Sequence, residues 1–492
     1  MLIKYWNGKV YELKKEEILV KKIKTLFIVL FIGLFLVSCA NEANNEDAVT
    51  LSMWNRYPGN HEFMEEFVRD FEDEHPEIKI DLERIPDDTM EVAYQTAASD
   101  GSFPDIFTHG VIPLYEFVEL GLAKNLNELI SEDDRERFHP GTFQENVYTY
   151  NDEIYALPVV NSPNHGTWMM HYNKEVLDKH DISEDEIPQT WEELIKVGNH
   201  IYENSDGNDY GLIFYNDWAV TPFVEQQATA ISPEIPLNIN YITGEPDYNN
   251  QGNIETIEFL KTLLDENIMH PASIEVNAHE AEAQFAAGNA AFFIGGNWIS
   301  SHLINNNDFE NFGVAKMPTK NGDPVYHPAG GETDGLMVSE NTEHWEEVKV
   351  FMEYALENFE REVSIPEGAS QPATTDVEFE APFPQYEVMD ELMTEYSLPV
   401  PEPTERSRDT IEFEIDFENQ MANHSMEQII VGYLTEEIDD IESVLSEADQ
   451  EAKEIFEDLL EEYEDVTREY FQFPNWEPFT PYSTEDYEEL EE

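Results

Sequence analysis

The stretch VTLSMWNRYPGNHEFMEEFVRDFEDEHPEIKIDLE, residues 49–83, decides the class of fold. Val49-Thr50-Leu51-Ser52-Met53 alternates apolar and polar residues, the period of a half-buried strand. The strand stops at Trp54-Asn55-Arg56-Tyr57-Pro58-Gly59, and Asn60 is placed to cap a helix. Phe63, Met64, Phe67, Val68 and Phe71 then share one helical face, which His75-Pro76 ends. Ile78, Ile80 and Leu82 alternate with Lys79, Asp81 and Glu83 in a second strand. Strand, helix, strand in this order predicts a βαβ unit with a parallel pair, and so an α/β fold.

Working outward, a helix over Met90–Ala98 leads into Phe103-Pro104-Asp105-Ile106-Phe107, read as a short buried strand. Ligands of open α/β sheets sit outside the carboxyl ends of the strands. Trp54, Arg56, Tyr57 and His109 occupy such ends and are site candidates, with plain packing and ion-pair roles as the alternatives. Asp105 is expected to brace its loop. Ile154–Pro158 is an extended piece, Thr167–Tyr172 a strand and Lys174–Lys179 a helix. Thr190 and Glu193 form a capping-box pair at the start of another helix. Glu280–Ala287 reads as helix, Ala290–Ile294 as a buried strand, and Gly295-Gly296-Asn297-Trp298 as a turn. From Asn419 to Asp465 the chain is helical and acidic, and Phe471–Tyr482 is an irregular aromatic tail.

The 492 residues allow two sizeable cores, and 12% aromatic content argues for a folded body. Lys plus Arg number 26 against 106 Asp plus Glu, a formal charge of −80. That field repels nucleic acid and anionic lipid, so neither is an expected partner. Acid spread over the whole chain points to work in salt, where screening removes self-repulsion. The lone cysteine, Cys39, excludes an internal disulfide and a cysteine-based metal site.

Lys21, Lys22 and Lys24 precede the twelve-residue apolar run Leu26–Val37. That is short for a membrane span, which needs ~20 residues, and suits a signal peptide. The run ends in Leu36-Val37-Ser38-Cys39, which resembles the bacterial lipobox and implies lipidation of Cys39. The expected organisation is a signal peptide over 1–38 and a lipidated polar tether over 39–48. Lys15-Glu16-Glu17 is readable as a ribosome-binding site, which would place the start near residues 19–20.

Seven stretches, in order, resemble the family 1 extracellular solute-binding proteins, which include the maltodextrin-binding protein. They are Gly101 with Phe103–Phe107, Asp152–Pro158, His171–Lys174, Pro188–Leu194, Phe285–Phe293, Gly296–Trp298 and Phe312–Pro318. Asp152-Glu153 stands where the family has Gly-Lys. The resemblance covers roughly residues 49–360. It implies a periplasmic-binding-protein-like type II fold: two α/β lobes with a ligand cleft and a hinge. It places one lobe at 49–158 plus about 319–364, and the other at 159–318 plus about 365–492 with the acidic helical tail. It also implies an extracellular, membrane-tethered monomer that hands a carbohydrate, an oligosaccharide, to the permease of an ABC importer, with no cofactor and no metal.

By the same resemblance Trp298 matches a family Trp that stacks on a sugar ring, with Asn297 beside it. Asp217 and Trp218 follow a strand where the family has polar and aromatic contacts. Asn164 and His165 follow the crossing strand, and Gly331 and Glu332 stand where they could face the cleft at the hinge. A single Arg among the cleft segments disfavours phosphorylated sugars. Enzyme motifs are missing: His279-Glu280 lacks the second His of a zinc protease helix, and no Gly-x-Ser-x-Gly or P-loop occurs. Asn204–Asp209 lacks EF-loop spacing and reads as a turn. A surface carbohydrate-active enzyme and a receptor feeding a sensor kinase remain the alternatives.

The charge balance makes a prediction. At ~1 M salt the Debye length falls to ~3 Å, so the melting temperature rises between dilute buffer and molar NaCl. A flat salt dependence in differential scanning calorimetry would refute the salt reading.

Overall fold

A computed structural model of the chain describes residues 48–56, 61–110, 112–143, 145, 147–161, 166–216, 218–328, 333–398, 400–422 and 425–491. The predicted signal peptide, Cys39 and the tether up to residue 47 lie outside the described residues. Along the chain, the strands of the two main sheets are β1 Val49–Asn55, β2 Ile78–Arg84, β3 Ile106–Gly110, β4 Ala156–Pro158, β5 Trp168–Asn173, β6 Tyr210–Ile213, β7 Ala290–Gly296, β8 Phe312–Ala315 and β9 Thr333–Val338. The helices that matter below are α1 His61–Glu74, α2 Asp87–Asp100, α3 Val220–Thr229, α4 Gln251–Asp265, α5 Ala278–Ala286, α6 Trp298–Asn305, α7 Trp345–Phe359, α8 Asp409–Met421, α9 Met426–Leu434 and α10 Ile441–Glu462.

The first sheet has the order β2-β1-β3-β9-β4. β1 pairs in parallel with β2 and β3, as the opening βαβ unit predicts, while β9 runs antiparallel between β3 and β4. Both faces are covered, and the side-chain period of two sorts them. Leu51, Met53, Ile106 and Leu336 face α1 and α7, where Phe67 and Phe71 meet Phe351 edge-on. Phe107 and Met337 face the opposite side with Met90 and Tyr94 of α2, and Trp54 packs there too. The second sheet has the order β8-β5-β7-β6, with β7 and β6 parallel and β5 antiparallel to both of its neighbours. Every residue of β5 and β7 is buried, which explains the unbroken apolar run of β7, while β5 buries His171 and Asn173 as well.

Two boundaries differ from the sequence reading for identifiable reasons. β3 starts at Ile106 rather than Phe103, since Pro104 has no N–H for a ladder. Asp105 serves as a staple: one carboxylate oxygen accepts from the Ser52 N–H and hydroxyl at 2.9 and 2.8 Å, and the other from the Thr342 hydroxyl at 2.6 Å. At the end of β7 the strand extends to Gly296, and Trp298 opens α6 instead of lying in a turn.

The chain passes from β4 to β5 in nine residues, 159–167. That passage lies beside residues 364–374. Ser364 donates its hydroxyl to the Val159 carbonyl at 2.6 Å. The Asn161 backbone N–H and side-chain amide bond the backbone carbonyl and side-chain oxygen of Gln371, each at 2.9 Å.

The stretch read as helical and acidic, residues 419–465, holds the end of α8 and the whole of α9 and α10. Ser425 caps α9, accepting from the Gln428 N–H at 3.3 Å, and Asp440 caps α10, accepting from the Ser443 N–H at 3.1 Å. Phe413 and Phe417 of α8, Phe456 of α10 and Phe471 form an apolar core of their own. Phe473, Trp476 and Tyr482 pack with Tyr241 and Tyr326 in another, so the aromatic end is built into the fold. Arg408 ties this tail to residues 145–152 through Glu145 at 2.9 Å and Asp152 at 3.2 Å.

Between α3 and α8, half-buried carboxylates lose part of their solvation. Burial, with repulsion from Glu418, pushes Glu414 up to about 8 and Glu225 up to about 7. Their native forms hold protons that the unfolded chain releases near pH 4.5, so this stability is full below that pH and is lost as pH rises towards 8. The melting temperature of the protein therefore falls from pH 5 to pH 8 in molar salt. Glu414→Gln flattens the fall and raises the melt at pH 8, as read by circular dichroism.

Candidate functional site

The second sheet presents one aromatic edge. Trp168 opens β5 and pairs with Gly296, the last residue of the antiparallel β7. β6 ends beside them at Ile213 and continues into Phe214 and Tyr215. Trp168 stacks on Tyr215 at 6.2 Å and 10°, and Tyr215 on Phe293 at 5.8 Å and 17°. These rings are buried and rigid. Trp218 stands edge-on to Trp168 and Tyr215, at 6.2 and 5.7 Å, and lies 5.7 Å from Trp298. Trp218 is 42% exposed, unusual for an indole and apt for a ring that meets a ligand.

Gly296 explains the Gly-Asn-Trp spacing. The Trp298 indole folds back over it so closely that a Cβ there would stand 2.2 Å from ring atoms. Asn297, between them, is fully buried. Its oxygen accepts from the Gly166 N–H at 3.0 Å, and its amino group donates to the Ala369 carbonyl and, at 3.1 Å, to the Ser370 hydroxyl. Both of its amide N–H groups are thus used within the chain. The amide braces the passage between the sheets, and the neighbouring indole is what the edge presents.

On the first sheet, Trp54 leans on Tyr94 at 5.4 Å and Phe103 at 6.5 Å, and lines a shallow cavity with Val92, Ala93 and Thr96 of α2. This is the packing alternative. Arg56 directly follows β1, is 7% exposed, and donates its backbone N–H to the Thr108 hydroxyl at 3.2 Å. Its side chain runs over Gly110, whose φ of +58° and missing Cβ both suit the approach. Tyr94 donates to the Thr108 carbonyl at 2.6 Å, and burial raises its pKa far above the tyrosine range despite the neighbouring guanidinium. His109 lies in β3, with its side chain outside the described set. Tyr57, Asn164, His165, Asp217, Gly331 and Glu332 lie outside the described residues.

The structure therefore brings Trp218, Asn297 and Trp298 together, and adds Trp168 and Tyr215, which sequence reading placed only inside or next to strands. Their role depends on the register of β5 against β7. The Asn161–Gln371 pairing was likewise invisible, because its partners are 210 residues apart.

The sequence pattern of the bacterial extracellular solute-binding proteins matches residues 57–358. The arabinooligosaccharide-binding protein of Bacillus subtilis is 26% identical over 357 residues, covering 68% of this chain and 76% of the relative. The maltose-bound MalE3 structure of T. maritima superposes with a TM-score of 0.65 at 18% identity, covering 83% of this chain and all of that one. A solute-binding protein of an ABC transporter from Thermotoga lettingae, bound with α-D-tagatose, gives the same TM-score, identity and coverage. These likenesses show the type II binding-protein fold expected from the sequence.

Asn297→Ala strands a buried N–H, a carbonyl and a hydroxyl at once. Leaving such groups unsatisfied costs ~1–3 kcal/mol each at most, with partial relaxation, so a loss of about 2–4 kcal/mol in urea unfolding is expected.

Proposed function

The chain belongs to the bacterial extracellular solute-binding proteins, whose pattern spans residues 57–358, and on that premise we propose that it captures an oligosaccharide between the edges of its two sheets and delivers it to an ABC importer. The observation that carries the reading is the aromatic edge of Trp168, Tyr215, Trp218 and Trp298, in which a buried stack supports a partly exposed ring pair. Sugar rings present C–H faces that stack on such indoles, and hydroxyls that need polar partners nearby. Two relatives in sequence support the ligand class by name: the arabinooligosaccharide-binding protein above and a multiple sugar-binding protein of Streptococcus mutans.

In this reading Trp218 and Trp298 are the stacking plates and Asn297 fixes their base. Arg56, Tyr57, His109, Asn164, His165, Asp217, Gly331 and Glu332 are the further candidate ligand contacts. Trp54 serves the core. The lobes divide as 49–158 with about 319–364, and 159–318 with about 365–492. The short β4–β5 passage and residues 364–374 form the hinge, supported by the Asn161–Gln371 pair. Closure is favoured by ligand because only the closed state touches it from both sides. Lipidation of Cys39 would hold the protein on the outer face of the membrane. Among the described residues no helix is long and apolar enough to cross one.

A thermal-shift screen against mono- and oligosaccharides in molar NaCl tests the reading, since ligand raises the melt by mass action. Trp298→Ala removes the best shift while leaving the unliganded melt nearly intact. Trp218→Ala weakens binding by about 1–2 kcal/mol, the scale of one lost stacking contact. If no oligosaccharide moves the melt, or both variants keep the full shift, the reading fails.

A further inference from the structure

One turn beyond Trp298 on α6 stands His302, and its imidazole meets two groups from α5. Glu282 is 1% exposed, yet it lies in a chain that carries 106 acids and has little reason to bury one. Its two carboxylate oxygens point to different imidazoles: Oε1 lies 2.9 Å from His302 Nδ1, and Oε2 lies 3.3 Å from His279 Nδ1. The rings are 5.7 Å apart, and the three ligand-type atoms all fall within 4.8 Å of one another. Ligand atoms around a first-row divalent cation stand roughly 3–3.5 Å apart, given bonds of ~2.0–2.2 Å. The two imidazole–carboxylate separations are of that size, and the widest separation in the trio, within 4.8 Å, needs only a small side-chain rotation to match it.

We propose that His279, Glu282 and His302 form a binding site for a transition-metal dication of the zinc type. The donor chemistry selects the class. Two imidazoles and one carboxylate suit zinc, cobalt or nickel, whereas calcium and magnesium prefer all-oxygen shells. His279 and Glu282 are three apart on one helix and project on one face, so α5 supplies two ligands and α6 the third. The site opens into a cavity of about 320 Å³ lined also by Arg84, Asn306 and Asn307. That leaves room for water or a small anion to complete the shell. Arg84 belongs to the end of β2, so the cavity lies where the first sheet approaches the second. Metal binding would clamp α5 to α6, the helix whose first residue is Trp298. The site revises the sequence expectation of no metal. In sequence, only a His-x-x-Glu spacing betrays it, and its third ligand is twenty residues downstream of Glu282.

The test uses the full mature chain, treated with chelator and titrated with ZnCl2 by isothermal calorimetry in molar NaCl, which suppresses condensation of cations on the acidic surface. Saturable one-to-one binding is expected. CaCl2 in excess should not compete. CoCl2 should produce visible absorption bands from nitrogen and oxygen coordination. His279 has a 57% exposed side chain, so His279→Ala should fold as the parent does. It should weaken zinc at least about tenfold, since one of three ligands is lost, and extinguish the cobalt bands. Glu282→Gln tests the buried ligand in the same assays. Absence of saturable zinc binding, equal competition by calcium, or an unchanged affinity in His279→Ala would each overturn the site. Because metal is read directly, these outcomes do not depend on whether any sugar binds.

Discussion

One buried amide holds the candidate site to the rest of the molecule. Asn297 sits at the point where β7 ends, and its side chain bonds Gly166, Ala369 and Ser370, which belong to the two segments running between the sheets. An amide with no access to water is committed to its partners, because releasing them leaves unpaired polar groups in a low-dielectric interior. The geometry on either side follows from it. Gly296 precedes it, with room for an indole to fold back, and Trp298 follows it as the first residue of α6. The ring pair of Trp218 and Trp298 is thus referenced to the passage between the sheets. One side chain thus joins the end of β7 to residues 166, 369 and 370.

The second constraint is the shortage of cations. With 26 basic residues against 106 acidic ones, few acids are paired, and the basic residues stand out where they join distant segments. Arg408 joins the tail to residues 145–152, Arg137 joins Glu357 and Asp376, and Arg468 joins Glu245 and Glu457. Exposed pairs of this kind contribute ~0–1 kcal/mol each, too little to attach a tail of some ninety residues. Aromatic packing carries that load. The Phe413–Phe456–Phe471 group and the Tyr241–Phe473–Trp476 group bury rings in edge-on and tilted contacts. The arrangement suits a medium where screening weakens ion pairs and salt strengthens apolar burial.

Where acids do enter the interior, their partners define what they are. Asp105 is a staple for two hydroxyls and an N–H, Glu225 and Glu414 are pushed towards the protonated form by burial, and Asp209 bonds Lys179 and His180. Glu282 is set apart by having two imidazole nitrogens as neighbours.

Much of the fold was legible along the chain, since it rests on local periodicity. The alternation over Val49–Met53, the helical face of Phe63–Phe71, the Thr190–Glu193 capping box and the unbroken apolar run of β7 each follow from neighbours a few residues apart. The pairing of Trp218 with Trp298 was anticipated only as membership of one cleft, through likeness to a family. Tertiary structure alone decided that Trp54 leans on Tyr94, that Trp168 and Tyr215 adjoin Trp218, and that His302 meets Glu282. Strand register and helix packing set those contacts. Both come from the global solution for burying apolar surface, and they join residues whose separation in sequence carries no periodic signal.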